Sequence, residues 1–341
     1  MTYDVDPGRG GRAPRQLTDQ QADRAAGVLL GQAAGDALGV PYEFSMPPAL
    51  DELAEMRGGG LGDFDPGEWS DDTAMAMCIA DIAANGYDLL TEEALDAVAA
   101  NFLLWLADDP ADIGLQTSAV LRATRSGLGG TDGPARVMTD QALAYAADHP
   151  RSAGNGALMR TAVVGIASLD DRARTARAAR LIASLTHADP LAGDSCVLWS
   201  EAVRVAVLEE RIDVVGGLDL LPSARRDQWR GWLDEASMAA TGELPGGRFN
   251  PNGFTVTALQ AAFAAIVGTL EEGPVTLQNA LHAAVRIGND TDTVAAIAGG
   301  LLGARWGATA VPRAWQEAVH GWAPGGTASA RELIDLATRT A

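Results

Sequence analysis

An all-α fold is predicted for this chain of 341 residues by three features of its sequence. Its apolar residues, 47% of the total, are mostly Ala and Leu with few aromatics and few β-branched runs, which favours helices packed closely through small side chains. Apolar positions recur at helical spacing along most of the chain. Capping residues stand where those periodic runs should begin and end.

Thr18 and Gln21 form a capping box, and Ala22, Ala25, Val28, Leu29, Ala33 and Leu38 follow at helical spacing, so the first helix runs from Asp19 to Gly39. Residues 40–69 carry Pro41, Pro47, Pro48, Gly58, Gly59, Gly60, Gly62, Pro66 and Gly67, which break any helix and predict a long loop able to act as a lid. Helices are then predicted at 71–85, 92–107, 114–126, 139–148, 156–168, 170–187, 192–211, 223–240, 254–270, 275–287, 291–306, 311–320 and 329–340. Ser70, Thr91, Thr139, Asp170, Ser223 and Ser329 occupy N-cap positions, and Gly86, Gly127 and Gly307 occupy helix stops. The chain has neither a linker long enough to separate a pair of domains nor a fixed-period repeat, so residues 17–341 are expected to form one domain. Residues 1–16, with Arg9, Arg12 and Arg15 among Gly and Pro, read as a disordered lead-in.

A net charge of −20 repels phosphate backbones and anionic membranes at long range, which argues against nonspecific nucleic-acid binding. It leaves room for a small anionic ligand held by backbone N–H groups and bound cations. Cys78 and Cys196 both lie in apolar helical patterns, which opposes a disulfide framework or a cysteine zinc site and fits a reducing cytoplasm. There is no apolar leader, and the longest apolar run, from Val294, meets Arg305 too soon for a bilayer. A soluble cytoplasmic monomer is the expectation.

Two acidic clusters carry the chemistry. Ser70-Asp71-Asp72-Thr73 joins the Gly/Pro-rich loop to a helix, and Asp290-Thr291-Asp292-Thr293 follows the Gly288-Asn289 turn and opens the apolar run Val294 to Ala298. Either cluster alone is ordinary helix capping, a hydroxyl or carboxylate placed against the positive end of the helix dipole. Together, two helix N-termini with paired carboxylates and hydroxyls can converge on hard cations that favour oxygen ligands. Neither cluster has EF-hand spacing and the histidines are scattered, so magnesium or manganese is favoured over calcium or zinc.

Gly154-Asn155-Gly156 precedes a predicted helix through Ala157, Leu158, Met159, Ala162, Val163 and Val164. Its glycines let backbone approach a ligand and its N–H groups suit an anion, although a plain turn has the same composition. His187 closes a helix near Pro190, where the dipole alone accounts for a histidine.

The chain resembles the ADP-ribosylglycohydrolase family over residues 22–307. The resemblance rests on landmarks in one order: Gly31-Gln32-Ala33-Ala34-Gly35-Asp36-Ala37-Leu38-Gly39, Pro41-Tyr42-Glu43, Trp69-Ser70-Asp71-Asp72-Thr73, Asp112-Ile113-Gly114, Gly154 to Arg160, Thr186-His187-Ala188 and Asp290-Thr291-Asp292-Thr293. It implies a single-domain orthogonal helical bundle around a central binuclear site holding two Mg2+ or Mn2+ ions. Its pattern implies Ser70, Asp71, Asp72, Asp290, Asp292 and Thr293 as ligands, and Glu43 as the lid glutamate reaching toward them. Gly154, Asn155 and Gly156 match the diphosphate cradle, His187 a residue near the distal part of ADP-ribose, and Asp112 with Gly114 a segment facing the scissile bond. Ser70 stands where most members carry threonine, and Asn289 where glycine is usual; serine keeps the hydroxyl, and Asn tolerates positive φ.

The activity implied is hydrolysis of the bond between ADP-ribose and its acceptor, with arginine on proteins as first choice, releasing ADP-ribose. Serine-linked, O-acetyl and nucleobase-linked ADP-ribose stay open, and nucleic acid enters only as a modified substrate. Glu43, Asp71 and Asp72 are candidates for taking the proton of the attacking water, with Asp112 a rival. A noncatalytic ADP-ribose binder and a two-metal phosphoesterase are the competing readings.

Overall fold

The computed structural model describes residues 16–240, 248–270 and 276–341; the expected disordered lead-in lies, apart from Gln16, outside the described residues. The helices, in chain order, are α1 (Asp19–Gly39), α2 (Asp71–Ala84), α3 (Glu92–Ala107), α4 (Leu115–Gly127), α5 (Pro134–Asp148), α6 (Arg172–Ser184), α7 (Pro190–Glu209), α8 (Ser223–Ala240), α9 (Thr255–Val267), α10 (Thr276–Arg286), α11 (Thr291–Trp306), α12 (Arg313–Ala318) and α13 (Ala330–Thr340). A small hairpin, β1 (His320–Ala323) and β2 (Gly326–Ser329), precedes α13. The all-α prediction holds, with this hairpin as its one addition among the described residues. No described helix is long and apolar enough to cross a membrane.

The centre of the molecule is the antiparallel pair of α1 and α11. From Arg24 to Gly39 every residue of α1 is buried, and α11 is buried from Thr291 to Ala304. Helices with core on every face are apolar around most of their circumference, and the few polar side chains that α1 and α11 bury, Asp36 and Asp292 among them, are exceptions. Glycines four residues apart put their backbones in contact. A Cβ on Gly27 would lie 2.3 Å from the Gly303 carbonyl oxygen, one on Gly31 would lie 2.3 Å from that of Gly299, and one on Gly35 would lie 2.1 Å from that of Ala295. At the end of this seam Gly39 abuts Asp292, and Thr291 Oγ1 donates to the Gly39 carbonyl at 2.8 Å. The seam therefore delivers the acidic N-terminus of α11 to the C-terminal turn of α1.

The loop before α2 is clipped by the hairpin. Trp69 N–H donates to the His320 carbonyl, His320 N–H to that of Gly67, and the Trp69 indole to that of Trp322. Gln32 of α1 donates to the Asp72 carbonyl at 3.0 Å and fixes the first turn of α2 from the other side.

Four local expectations are corrected. Residues 156–168 form not an α-helix but two 3-10 segments, Asn155–Ala157 and Ala162–Gly165. That segment is wedged against α7, where a Cβ on Gly165 would lie 2.5 Å from the Ser200 carbonyl oxygen, and its amides bond three residues back. Helix α5 starts at Pro134 rather than after Thr139, because proline suits the first helical turn and Asp96 of α3 accepts the Ala135 N–H at 2.9 Å. Asp171, not Asp170, caps α6. The run 311–320 shortens to α12, and His320 instead opens the hairpin that turns at Pro324-Gly325.

Candidate functional site

Ser70 and Asp290 hold the N-cap positions of α2 and α11, yet neither side chain caps its helix. The Ser70 hydroxyl lies 2.8 Å from Asp36 Oδ1 and 3.0 Å from Asp72 Oδ2. Asp290 Oδ2 accepts from the Asn155 amide at 2.8 Å, and Thr293 Oγ1 donates to Asp72 Oδ2 at 3.3 Å. Plain capping would have turned these groups onto their own backbone. Here they face one another across the gap between two helices.

Carboxylate oxygens of Asp36, Asp72 and Asp292 lie within 4.8 Å of one another, as do those of Glu43, Asp112 and Asp292. Asp292 belongs to both groups, so two cation-sized positions would share one ligand. All of these side chains except Asp112 are buried, and Asp72 Oδ1 is fully buried with no hydrogen-bond partner. Like charges held this close out of water demand protons or cations. The oxygen-only donor set and the orphaned Asp72 oxygen fit divalent metal ions, consistent with the metal dependence of the family to which the landmarks pointed.

Titration reflects the same strain. Burial first, then the charges of Asp112, Asp290 and Asp71, pushes Glu43 up to about 9. Burial and neighbouring carboxylates hold Asp71, Asp72 and Asp292 well above the usual carboxylate range. Burial also raises Asp112 and Asp290, the latter opposed by its bond from Asn155. A carboxyl whose pKa is raised on folding binds its proton more tightly in the folded state than in the unfolded one, so without bound cations stability falls as pH rises from about 4 toward the pKa of Glu43. Added magnesium or manganese should therefore raise the melting temperature more at about pH 8 than at about pH 6. Equal shifts at the two pH values in a thermal-shift assay would contradict this.

Asp36 is the residue that sequence reading passed over. It is fully buried on α1, and it accepts from Ser70 N–H at 2.9 Å, Ser70 Oγ, Thr73 N–H at 3.0 Å and Thr73 Oγ1 at 2.6 Å. Burial raises it to about 6, and those four bonds hold it from rising further. Its signal was a lone acid in a run of small residues, which no partner closer than Ser70 in the sequence could explain. Asp36→Asn would set an NH2 against these donors and is expected to cost about 2–4 kcal/mol and disorder the first turn of α2. Denaturant unfolding checks it; a cost under about 0.5 kcal/mol would make Asp36 dispensable.

A cavity of about 600 Å³ opens beside the carboxylates. Glu43, Asp71, Asp112, Gly114, Gly154, Asn155, Gly156, His187, Asp290, Asp292 and Thr293 all line it. Of the residues singled out in the sequence, only Ser70 and Asp72 lie behind its wall. Gly154 and Gly156 face His187, where a Cβ would come within 3.2 Å and 3.0 Å of the ring. Asn155 does more than line the cavity, since its amide joins Asp290 to the Asn252 carbonyl. Asn252, fully buried and also missed, accepts from Asp290 N–H and donates to the Gly288 carbonyl, which fixes the turn before α11. Glu43 follows a short 3-10 turn at Val40–Tyr42, and Phe44 N–H donates to the Asn289 carbonyl at 2.7 Å, tying the loop to that same turn. Asn289 takes φ of 61°, the conformation its residue type tolerates.

A second cavity of about 240 Å³ shares Asp71 and Asp112 with the first. Glu68, Asp108 and Asp109 add acids, and Trp69, Trp105 and Trp322 add aromatic wall, with no Lys or Arg among its lining residues. The Trp322 indole donates to Asp108 at 2.8 Å and sets the angle of one wall.

The family model for ADP-ribosylglycohydrolase matches residues 17–341. A Pseudomonas putida protein named ADP-ribosylarginine hydrolase Tri1 is 29% identical over 330 residues, covering 94% of this chain and 81% of its own. The ADP-ribosyl-[dinitrogen reductase] glycohydrolase of Rhodospirillum rubrum is 27% identical, covering 86% and 89%. A solved structure titled ADP-ribosylglycohydrolase-related protein complex superposes with a TM-score of 0.66 at 27% identity, over 95% of this chain and 98% of that one.

Proposed function

Because the chain belongs to the ADP-ribosylglycohydrolase family and is thus a hydrolase of glycosidic bonds to ADP-ribose, we propose that its substrate is ADP-ribosyl-arginine on proteins and its cofactor a pair of magnesium ions. The observation that carries the acceptor is the smaller cavity. A ligand laid along the larger cavity, with its diphosphate at Gly154–Gly156 and its ribose at Asp292, directs its acceptor past Asp71 and Asp112 into a chamber of acids and tryptophans. A guanidinium is planar, always charged and stacks on aromatic faces, so it suits that chamber better than a serine hydroxyl or an acetyl ester. The relative named an arginine hydrolase supports the same reading.

In this proposal Ser70, Asp71, Asp72, Asp290, Asp292 and Thr293 hold the cations, and Asp36 orients Ser70 from behind. Bound magnesium would neutralise the carboxylates and grip ribose hydroxyls, fixing the ring for attack. Glu43 and Asp112, grouped with Asp292 at the outer of the two cation positions, also line the larger cavity, where one takes a proton from the attacking water and the other steadies the departing guanidine. Asp72, buried behind both cavities, serves the cation alone. Cys78 and Cys196 are buried free thiols, which fits a cytoplasmic setting.

The experiment is a side-by-side release assay on arginine-linked and serine-linked ADP-ribosyl peptides and on O-acetyl-ADP-ribose. Arginine-linked substrate is expected to turn over faster by about 100-fold or more, on the strength of two or more charge-assisted contacts. Replacing both Asp108 and Asp109 by Asn should raise KM for that substrate alone. Preference for the serine linkage would overturn the acceptor assignment and leave the hydrolase standing.

A further inference from the structure

Arg160 is fully buried, and no carboxylate among the described residues pairs with it. Its guanidinium lies 4.5 Å over the Phe102 ring, donates to Met75 Sδ, the Ile182 carbonyl and Thr186 Oγ1, and leaves Nε without a partner. A buried cation without a counter-ion is costly, and nothing in packing alone asks for one here. Its shortest bond, 2.7 Å to Thr186 Oγ1, shows what it acts on.

Guanidinium can only donate, so Thr186 Oγ1 must accept from Arg160. That occupies a lone pair and leaves the single hydroxyl proton to be placed. The other neighbour of Thr186 Oγ1 is His187 Nδ1 at 2.8 Å. Both residues are buried, and placing the hydroxyl proton on that nitrogen, the other neighbour within hydrogen-bond distance, makes Nδ1 an acceptor. A neutral imidazole whose Nδ1 accepts carries its proton on Nε2. Nε2 faces Gly154 and Gly156 on the wall of the larger cavity, where a Cβ on either glycine would lie 3.2–3.3 Å away.

We infer that Arg160 and Thr186 form a positioning relay that locks His187 in its neutral Nε2–H tautomer, so that the cavity presents a fixed donor to an oxygen acceptor of the ligand in the Gly154–Gly156 cradle. The relay acts through His187 and touches no ligand itself. Burial first, and then the guanidinium charge, also oppose protonation of the ring, whose pKa falls to about 3. A neutral ring has one donor and one acceptor, so the tautomer decides whether the ligand meets a hydrogen or a lone pair. With Nδ1–H instead, a ligand oxygen would face a lone pair and be repelled. The ligand side of this inference rests on the ADP-ribose reading of the cavity; the tautomer does not.

The test is nitrogen NMR of the full-length protein labelled at histidine, with His187 assigned by its loss in His187→Gln. The wild type should show an unprotonated Nδ1 and a protonated Nε2. Thr186→Val, nearly isosteric, should shift the ring toward Nδ1–H and weaken ADP-ribose binding in calorimetry by about tenfold, while Thr186→Ser restores both. Arg160→Met should blur the tautomer in the same direction, and Arg160→Lys, which keeps a donor, should restore it partially. An Nδ1–H ring in the wild type, or an unchanged ring in Thr186→Val, overturns the relay. An Nε2–H ring in a protein that binds no ADP-ribose upholds the relay and sinks the ligand reading instead.

Discussion

Asp292→Ala is expected to abolish cation binding and turnover together. Asp292 is the one carboxylate common to both clusters, so its loss removes a ligand from each position at once. Asp112→Asn makes the comparison sharp, because it leaves Asp36, Asp72 and Asp292 intact. Calorimetry with magnesium or manganese should show no binding in Asp292→Ala and one retained site in Asp112→Asn. Release of ADP-ribose should fall by about 10³-fold or more in Asp292→Ala, since fixing the ribose and neutralising the carboxylates both depend on the shared site. Full activity in that variant would remove the two-cation reading. Loss of activity with unchanged cation binding would reduce Asp292 to a substrate contact.

Gly303→Val is expected to be as damaging without touching the site. A Cβ on Gly303 would fall 1.8 Å from the Gly27 carbonyl oxygen, which is backbone and cannot rotate aside. The two central helices would have to separate along their length, at a cost on the order of 3 kcal/mol or more, above the usual overpacking penalty because no side chain can yield. The acidic N-terminus of α11 would move with them, so cation affinity should fall along with the melting temperature. Gly231→Ala supplies the control, since that exposed glycine of α8 has nothing near its missing Cβ and should gain about 0.5–1 kcal/mol. Thermal unfolding of both variants reads the contrast. A Gly303→Val protein as stable as wild type would mean that the seam is not held as tightly as its geometry requires.

The helices were legible in the sequence because their signals are local. The capping box at Thr18 and Gln21 formed as read and α1 ended at Gly39, and Ser329 capped α13 with Glu332. In both cases donor and acceptor lie three residues apart. The two acidic clusters were legible for the same reason, each packed into four consecutive residues. Where neighbours in space override neighbours in sequence, reading failed. Asp96 of α3 moved the start of α5, and contact with α7 turned residues 156–168 into 3-10 segments.

The residues of the site that went unread are those whose partners are far along the chain. Asp36 bonds to Ser70 and Thr73, Asn252 to Asp290, and Arg160 to Thr186. Gly27 and Gly303 lie at opposite ends of the fold in sequence and in backbone contact in space. The smaller cavity draws Trp69, Asp108 and Trp322 from three separate segments, so no window of sequence contained it. By itself, then, the sequence determined where most helices form and where acidic side chains cluster, because periodicity, caps and clustered acids act within a few residues. Only the tertiary structure decided that two helix N-termini meet, that Asp292 stands in both carboxylate groups, and that an acidic aromatic chamber adjoins them. Those outcomes depend on glycines letting α1 and α11 touch, a long-range steric fit that no local pattern encodes.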